Sequence, residues 1–462
     1  MTDLLDQSAI AQIQALTNRD ISIRELMSAT LDRIETCNPS VNAIVALQDR
    51  DALLDATDLA QDGPLKGLPI AVKDLADTKG LTTTYGSPLF KTHVPTADTP
   101  MVANMRAAGA VIIGKTNTPE WGLGSNSYNP VYGTTLNPYD LTKSAGGSSG
   151  GAAVALAARM VALADGSDMM GSLRNPAGWN NVFGFRPSYG LVPNAGPGEA
   201  FLPQLATNGP MARHIADLEL LLTVQARHDP THPHTIGPYR PVANTGPLKI
   251  GWLADWGGAF TMEAGVLDLC DKACAVFEQL GHTVILADPP FPAQALWDSW
   301  TTLRSWVIAE KMRPLYDDPS QRDLLKPEAI WEIERGLTLS AHDVYKASEI
   351  RSDWFRKTAT MDMDILALPS AQMFPFDANL SWPKNIGGTA MDTYHRWMEV
   401  VIPASLTGLP ALSVPAGFGP SGTPMGLQLI GHHGTDAQVL TLGRQFEAAT
   451  DLVSRAPPVP GT

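Results

Sequence analysis

Apolar positions change their spacing several times along the chain, and each change marks an element. From Ile23 to Thr36, Leu26, Ala29, Leu31 and Ile34 share one helical face, following a first amphipathic stretch, so two helices open the chain and pack on a core. Gly67-Leu-Pro-Ile-Ala-Val-Lys-Asp74 is then a short apolar run, the pattern of a buried strand, and it ends on a lysine. Residues 98–108 predict a helix stopped by Gly109, and Ala110 to Ile113 a further buried strand. An Ala-rich helix from Ala152 to Arg159 is followed by a short strand and a Gly/Ser-rich loop at 166–172. Further on, Leu248 to Leu253 and Asp364 to Leu368 read as strands, 262–280 as a helix ended by Gly281, and 410–430 as two strands joined by a Gly/Pro turn. Helix and strand alternate as they do in an α/β sheet.

Residues 228–247 interrupt this rhythm with His, Pro and Gly. They read as a crossover inside one domain spanning 1–462, while the tail from Arg455 is expected to fray. No internal repeat or low-complexity tract occurs, and no apolar run reaches the roughly 18 residues of a membrane span. The acidic start lacks a basic region followed by an apolar one, which predicts a cytoplasmic protein. Its 33 Lys plus Arg against 47 Asp plus Glu leave a net charge of −14, so nucleic acid is not its partner. Cys37, Cys270 and Cys274 lack zinc-site spacing and are expected to be buried reduced thiols.

Four patterns bear on chemistry. Gly109-Ala-Val-Ile-Ile-Gly114-Lys115-Thr116 satisfies the Walker A spacing, which raises an ATP-binding protein as a reading from another class. Its four intervening residues are apolar and largely β-branched, the composition of a strand rather than a phosphate-wrapping turn, so Lys115 is expected to be structural. Gly147-Ser148-Ser149-Gly150-Gly151 matches the G-x-S-x-G elbow with Ser149 at its tip, but turn-forming residues precede it where an elbow has a strand. The loop still calls for a task, because so many Gly and Ser before a helix are costly to order and expose backbone amides. His232 and His234, like His432 and His433, lack a carboxylate at ligand spacing and are expected to be solvated, with no metal and no cofactor. A lysine and serines remain for any hydrolytic work.

Taken together, Gly67-Leu-Pro-Ile-Ala-Val-Lys73-Asp74, Gly146-Gly-Ser-Ser-Gly-Gly151 and Gly166-Ser-Asp…Gly171-Ser172-Leu-Arg174-x-Pro176 resemble the amidase signature family of bacterial hydrolases. The motifs occur in that family's order, with 24 positions between Ser148 and Ser172. Gly114-Lys-Thr-Asn117, Asn137-Pro138, Gly209-Pro-Met-Ala-Arg213, Thr407-Gly-Leu-Pro410 and Gly426-Leu-Gln-Leu-Ile430 extend the similarity over most of the chain. The resemblance implies an α/β fold with a large mixed, twisted sheet covered by helices on both faces. It also implies an amide-bond hydrolase working through an acyl-enzyme, on a small-molecule amide or carbamate, as a monomer or homodimer.

Residue by residue, Ser172 matches the nucleophile, Lys73 the base, and Ser148 the bridging serine, held in the family on a cis peptide after Gly147. A serine hydroxyl needs an adjacent base, and lysine qualifies when burial lowers its pKa, as the end of a buried strand allows. The amides of Met169, Met170, Gly171 and Ser172 match the oxyanion hole, a feature worth roughly 3 to 4 kcal/mol per donor. Gly147, Ser149 and an Asp168–Arg174 pair would support the two loops.

Met170 stands where many members of the family carry glycine, which raises a narrower or more apolar acyl pocket. Residues 285–400 show no alignable motif but hold seven of the eleven tryptophans, Trp297, Trp300, Trp306, Trp331, Trp354, Trp382 and Trp397. They are either core packing or an aromatic wall covering the site. The wall predicts anilides, other aryl or bulky apolar amides, or aryl carbamates as substrates, making the enzyme an aryl acylamidase or a urethanase. The second enzymatic reading is an amidotransferase A-type subunit that supplies ammonia within a complex.

Overall fold

A computed structural model describes residues 4–59, 62–194, 198–202 and 204–459. The helix foreseen from Ile23 begins there, with Ser22 and Glu25 exchanging side-chain-to-backbone hydrogen bonds at its N-terminus, but it runs to Val41 rather than Thr36. Pro39 is tolerated in its last turn, and Asn42 ends it in a left-handed conformation (φ 51°). Asn38 Oδ1 accepts the N–H groups of Ala43 and Ile44, fixing the turn into the first strand.

Eleven strands frame the site: β1 (Ile44–Val45), β2 (Pro69–Lys73), β3 (Val111–Thr116), β4 (Leu163–Asp168), β5 (Phe183–Arg186), β6 (Thr207–Ala212), β7 (Lys249–Trp252), β8 (Thr283–Leu286), β9 (Ile365–Pro369), β10 (Ala411–Phe418) and β11 (Pro424–Gly431). Eight form a mixed sheet in the order β8-β7-β9-β11-β10-β5-β6-β4, in which β7 runs parallel to β8 and β9 and the other pairings are antiparallel. The order β1-β3-β2 makes a smaller sheet whose β2 lies alongside β4. Strands before and after 228–247 belong to the same large sheet, and that segment carries no helix or strand of its own. Helices flank the large sheet, so β10 and β11 are buried almost along their whole length.

β3 contains Gly114-Lys115-Thr116, so the Walker-like spacing lies on a strand. Lys115 Nζ is spent on Ala76 O (2.6 Å) and Thr78 Oγ1 (2.8 Å). Cys37, Cys270 and Cys274 are all buried. The tail departs from expectation as far as Val459: Tyr139 donates to Arg455 O at 2.9 Å, the Arg455 guanidinium covers the Phe418 ring, and Val459 is buried. Residues 460–462 of that tail lie outside the described residues. His232, expected in solvent, is buried beside His234, and burial lowers its pKa. No helix among the described residues is long and apolar enough to cross a membrane.

The helix Arg174–Trp179, which follows the second Gly/Ser loop, seats on β10 and β11 through a glycine contact. A Cβ on Gly178 would lie 2.8 Å from the Gly426 nitrogen and 2.3 Å from Ser370 Oγ. Gly178→Ala should therefore destabilise the protein by about 1–3 kcal/mol. The readout is a lower urea midpoint at an unchanged slope.

Candidate active site

Lys73 occupies the last position of β2 and is 1% exposed. Its Nζ lies 2.8 Å from Ser148 Oγ, 2.9 Å from Ser149 Oγ, 3.1 Å from Ser167 Oγ and 3.4 Å from Ser167 O. A neutral amine has two N–H donors and one lone pair, so it can donate to Ser149 and Ser167 while accepting the Ser148 hydroxyl proton; an ammonium finds three acceptors in the same cage. Burial pushes the Lys73 pKa down to about 7, against the opposing charges of Asp165 and Asp168.

The glycines of the first loop are required by close packing. Gly146 has φ 75°, and a Cβ there would lie 2.6 Å from Asn175 Oδ1. At Gly151 it would meet the Asn117 nitrogen at 2.3 Å. Ser127 Oγ donates to Gly146 O (2.9 Å) and accepts from Gly150 N (3.1 Å), and the Gly147–Ser148 peptide is cis. The helix Gly150–Ala157 that follows is wholly buried, so the loop is anchored at both ends.

Asp168 organises the second loop. Its carboxylate accepts Gly171 N (2.8 Å), Leu173 N (3.2 Å), Arg174 Nε (3.0 Å) and Nη2 (3.1 Å), and Arg186 Nη1 (3.2 Å). Burial alone would push this carboxyl up, but the Arg174 and Arg186 charges and the hydrogen bonds outweigh it, holding the pKa well below the usual carboxylate range. Arg186, on β5, is a partner that sequence reasoning missed. Arg174 continues outward to Val401 O, Gln428 Oε1 and Ser405 Oγ, tying the loop to β11 and to the helix Ile402–Thr407.

The two loops meet where Ser149 N donates to Ser172 O at 3.2 Å. Ser149 is 0% exposed, Ser148 3% and Ser172 6%, so access from outside increases toward Ser172 and the elbow-tip serine is the most enclosed. Ser172 Oγ has no hydrogen-bond partner among the described residues. The Gly171 amide, expected in an oxyanion hole, is engaged by Asp168, leaving the amides of Met169, Met170 and Ser172 as candidate donors. Gly171 requires glycine, with φ 76° and a Cβ position 2.9 Å from Val401. Met170 has no left-handed backbone and packs into the main core, so a side chain is accommodated there. The thioether facing 285–400 is that of Met169, 3.1 Å from Arg304 Nη1.

Four of the seven tryptophans in 285–400, Trp297, Trp300, Trp354 and Trp397, are buried in the main core, which excludes them from an exposed aromatic wall. Sequence reasoning missed Gly122 as a neighbour of the site; a Cβ there would lie 3.5 Å from Ser148 Oγ. Among the described residues no group of three or more His, Cys, Asp or Glu could hold a metal ion.

A buried lysine in a cage of serines thus sits where the small sheet meets the edge of the large one. Residues 25–440 match the Amidase family, and the chain belongs to the amidase signature hydrolases. It is 32% identical to an acylamidase of Rhodococcus erythropolis, over 97% of each chain. It is equally 32% identical to the A-type subunit of glutamyl-tRNA(Gln) amidotransferase from Aromatoleum aromaticum, over 96% of this chain and 97% of that one. Among solved structures, a bacterial aryl acylamidase of the amidase signature family superposes with a TM-score of 0.88 at 27% identity, covering 97% of both chains. A substrate complex of 6-aminohexanoate cyclic dimer hydrolase does so with 0.88 at 26%, covering 99% of both.

Removing the Asp168 charge leaves two buried arginines uncompensated. Asp168→Asn should cost about 3–5 kcal/mol of stability, seen as a lower urea midpoint. Because the folded pKa is depressed, this contribution is complete above the unfolded carboxylate pKa of about 4 and is lost as pH falls toward the folded value. The difference between wild type and variant should therefore shrink in acid.

Proposed function

We propose that the chain is an amidase that cleaves small aryl or bulky apolar amides, and the corresponding carbamates, through Ser172, Ser148 and Lys73. The observation that carries this reading is the 2.8 Å approach of a desolvated Lys73 Nζ to Ser148 Oγ. Neutral Lys73 takes the Ser148 proton while Ser148 takes that of Ser172, and Ser172 Oγ bonds to the substrate carbonyl carbon. The resulting oxyanion is met by the N–H groups of Met169, Met170 and Ser172. The proton on Lys73 returns through Ser148 to the leaving nitrogen as the C–N bond breaks, giving the free amine and an acyl-serine. Water then attacks the acyl carbon, passes a proton along the same relay, and releases the acid and Ser172.

Similarity to an acylamidase and to the fold of an aryl acylamidase supports the aryl preference, now without the four core tryptophans. A carbamate differs only on the acyl side of the scissile bond, so the relay applies unchanged. On this reading the chain acts in the cytoplasm as a monomer or homodimer. The amidotransferase reading draws on relatives of equal identity and requires partner chains. It is favoured if the isolated chain leaves acetanilide intact and releases ammonia from glutamine only with partners present; turnover of acetanilide well above acetamide by the chain alone favours the amidase. Ser172→Ala should abolish both turnover and labelling by a fluorophosphonate, and labelling that persists places the nucleophile in the Ser148-Ser149 doublet.

The base must be unprotonated to start the reaction. With Lys73 at about 7, kcat/KM should rise through a midpoint near that pH and fall about tenfold per pH unit below it. A pH profile on a substrate without titratable groups checks this.

A further inference from the structure

Asp165 is fully buried in the middle of β4, and the reaction described above leaves it without a task. Its Oδ1 and Oδ2 lie 3.1 and 3.4 Å from the backbone nitrogen of Lys73, whose N–H is the one donor reaching the carboxylate from another residue among the described residues. β4 continues past Asp165 to Ser167, whose hydroxyl and carbonyl both touch Lys73 Nζ. One strand therefore grips the lysine twice, by its main chain through Asp165 and by its ammonium end through Ser167.

The charges around this pair are unequally committed. Asp168, further along β4, is spent on Arg174 and Arg186. Asp74, next to Lys73, accepts Thr84 N, Thr84 Oγ1 and Gly86 N. Lys115, on β3, faces Asp165 and also feels Asp74, Asp77 and Asp98, but its ammonium is held by Ala76 O and Thr78 Oγ1. Asp165 is thus left as a buried carboxylate beside the base, without an ion pair of its own among the described residues. Burial pushes its carboxyl up to about 6, while the charges of Lys115 and Lys73 and the Lys73 amide pull it back toward the ionised form. That charge favours the protonated form of Lys73 and opposes the effect of burial.

We propose that Asp165 is a positioning residue for the lysine base: its carboxylate anchors the end of β2 through the Lys73 amide, and its charge sets the pH at which Lys73 releases its proton. The inference rests on the reading of Lys73 as base to Ser148 and Ser172. Asp165→Asn keeps an oxygen for the Lys73 N–H and removes the charge. The acid limb of the pH profile should then move to lower pH by about one unit, because the lysine loses its stabilising anion. The alkaline plateau should stay within about twofold of wild type, because a neutral base is present there in both proteins. Asp165→Leu removes the anchor as well and should lower the rate at every pH.

The rate of fluorophosphonate labelling, measured across pH on the full chain, gives this profile without assuming a substrate. An Asp165→Asn limb coincident with wild type, or moved to higher pH, overturns the proposal. If the Asn protein fails to fold by circular dichroism, Asp165→Ser, smaller and also an acceptor for the Lys73 amide, takes the same test with the same two outcomes. Ser172→Ala separates the two ideas. Labelling that survives in that variant sinks the Ser172-Ser148-Lys73 reading, whereas Ser172-dependent labelling with an unmoved limb sinks only the role of Asp165.

Discussion

The desolvation of one ammonium group governs the site. An amine that stays charged at neutral pH cannot accept a proton from serine, and the fall of the Lys73 pKa from 10.5 to about 7 corresponds to on the order of 5 kcal/mol favouring the neutral form. That preference exists only because Lys73 sits at the end of a strand buried at every position. The small sheet β1-β3-β2 delivers the lysine, and the edge of the large sheet, β4, closes over it. Water is kept out by packing, which is why the flanking glycines approach backbone so closely: a Cβ on Gly166 would lie 2.6 Å from Ser149 Oγ, inside the cage.

Dryness has a cost that the second loop offsets. Asp168 brings an anion into the same low-dielectric region, where a lone carboxylate would be protonated. Two arginines and two backbone amides keep it ionised instead, and the loop conformation follows from that demand: Gly171 turns through a left-handed φ so that its N–H reaches Asp168 while the Ser172 hydroxyl stays unpartnered. The electrostatic hub and the placement of Ser172 are thus one feature, and the Gly171 amide is committed to the hub.

Short apolar runs marked most of the strands that frame the site, and the resemblance of three ordered motifs to the amidase signature family pointed to Lys73, Ser148, Ser172 and the Asp168–Arg174 pair. These features are local, or carried by three ordered motifs. What stayed hidden depends on which distant strands face one another. Arg186 lies within an unremarkable Phe-Gly-Phe-Arg run, and Asp165 is one charge in a short strand; only the pairing of β4 with β6, and of β5 with β6 and β10, brings them to the site. A charge at the end of a buried strand drew attention to Lys73, whereas Asp165 lies inside its strand, where that rule does not look. The tryptophans misled because aromatic content does not distinguish a cavity wall from a core. Whether position 170 requires glycine depends on φ, which a motif does not display.

The region without motifs is joined to the catalytic loop by charge as well as by apolar packing. Arg304 donates to Glu332 at 2.6 Å and to Tyr394 Oη at 2.7 Å, and Tyr394 donates in turn to Glu332 at 2.8 Å. Ser305 closes the other Glu332 oxygen. Such a buried pair adds little net stability over an apolar equivalent but is costly to break, so it fixes where the guanidinium lies. Its remaining nitrogen meets the Met169 thioether in the second Gly/Ser loop. The loop is therefore held on one side by Asp168 and on the other by Arg304, and a change in 285–400 that moved Arg304 would reach Met169 without touching Lys73, Ser148 or Ser172. Two sets of contacts are thus separate in space: the two sheets enclose Lys73 and its serines, and the helices of 285–400 reach the second loop through Met169.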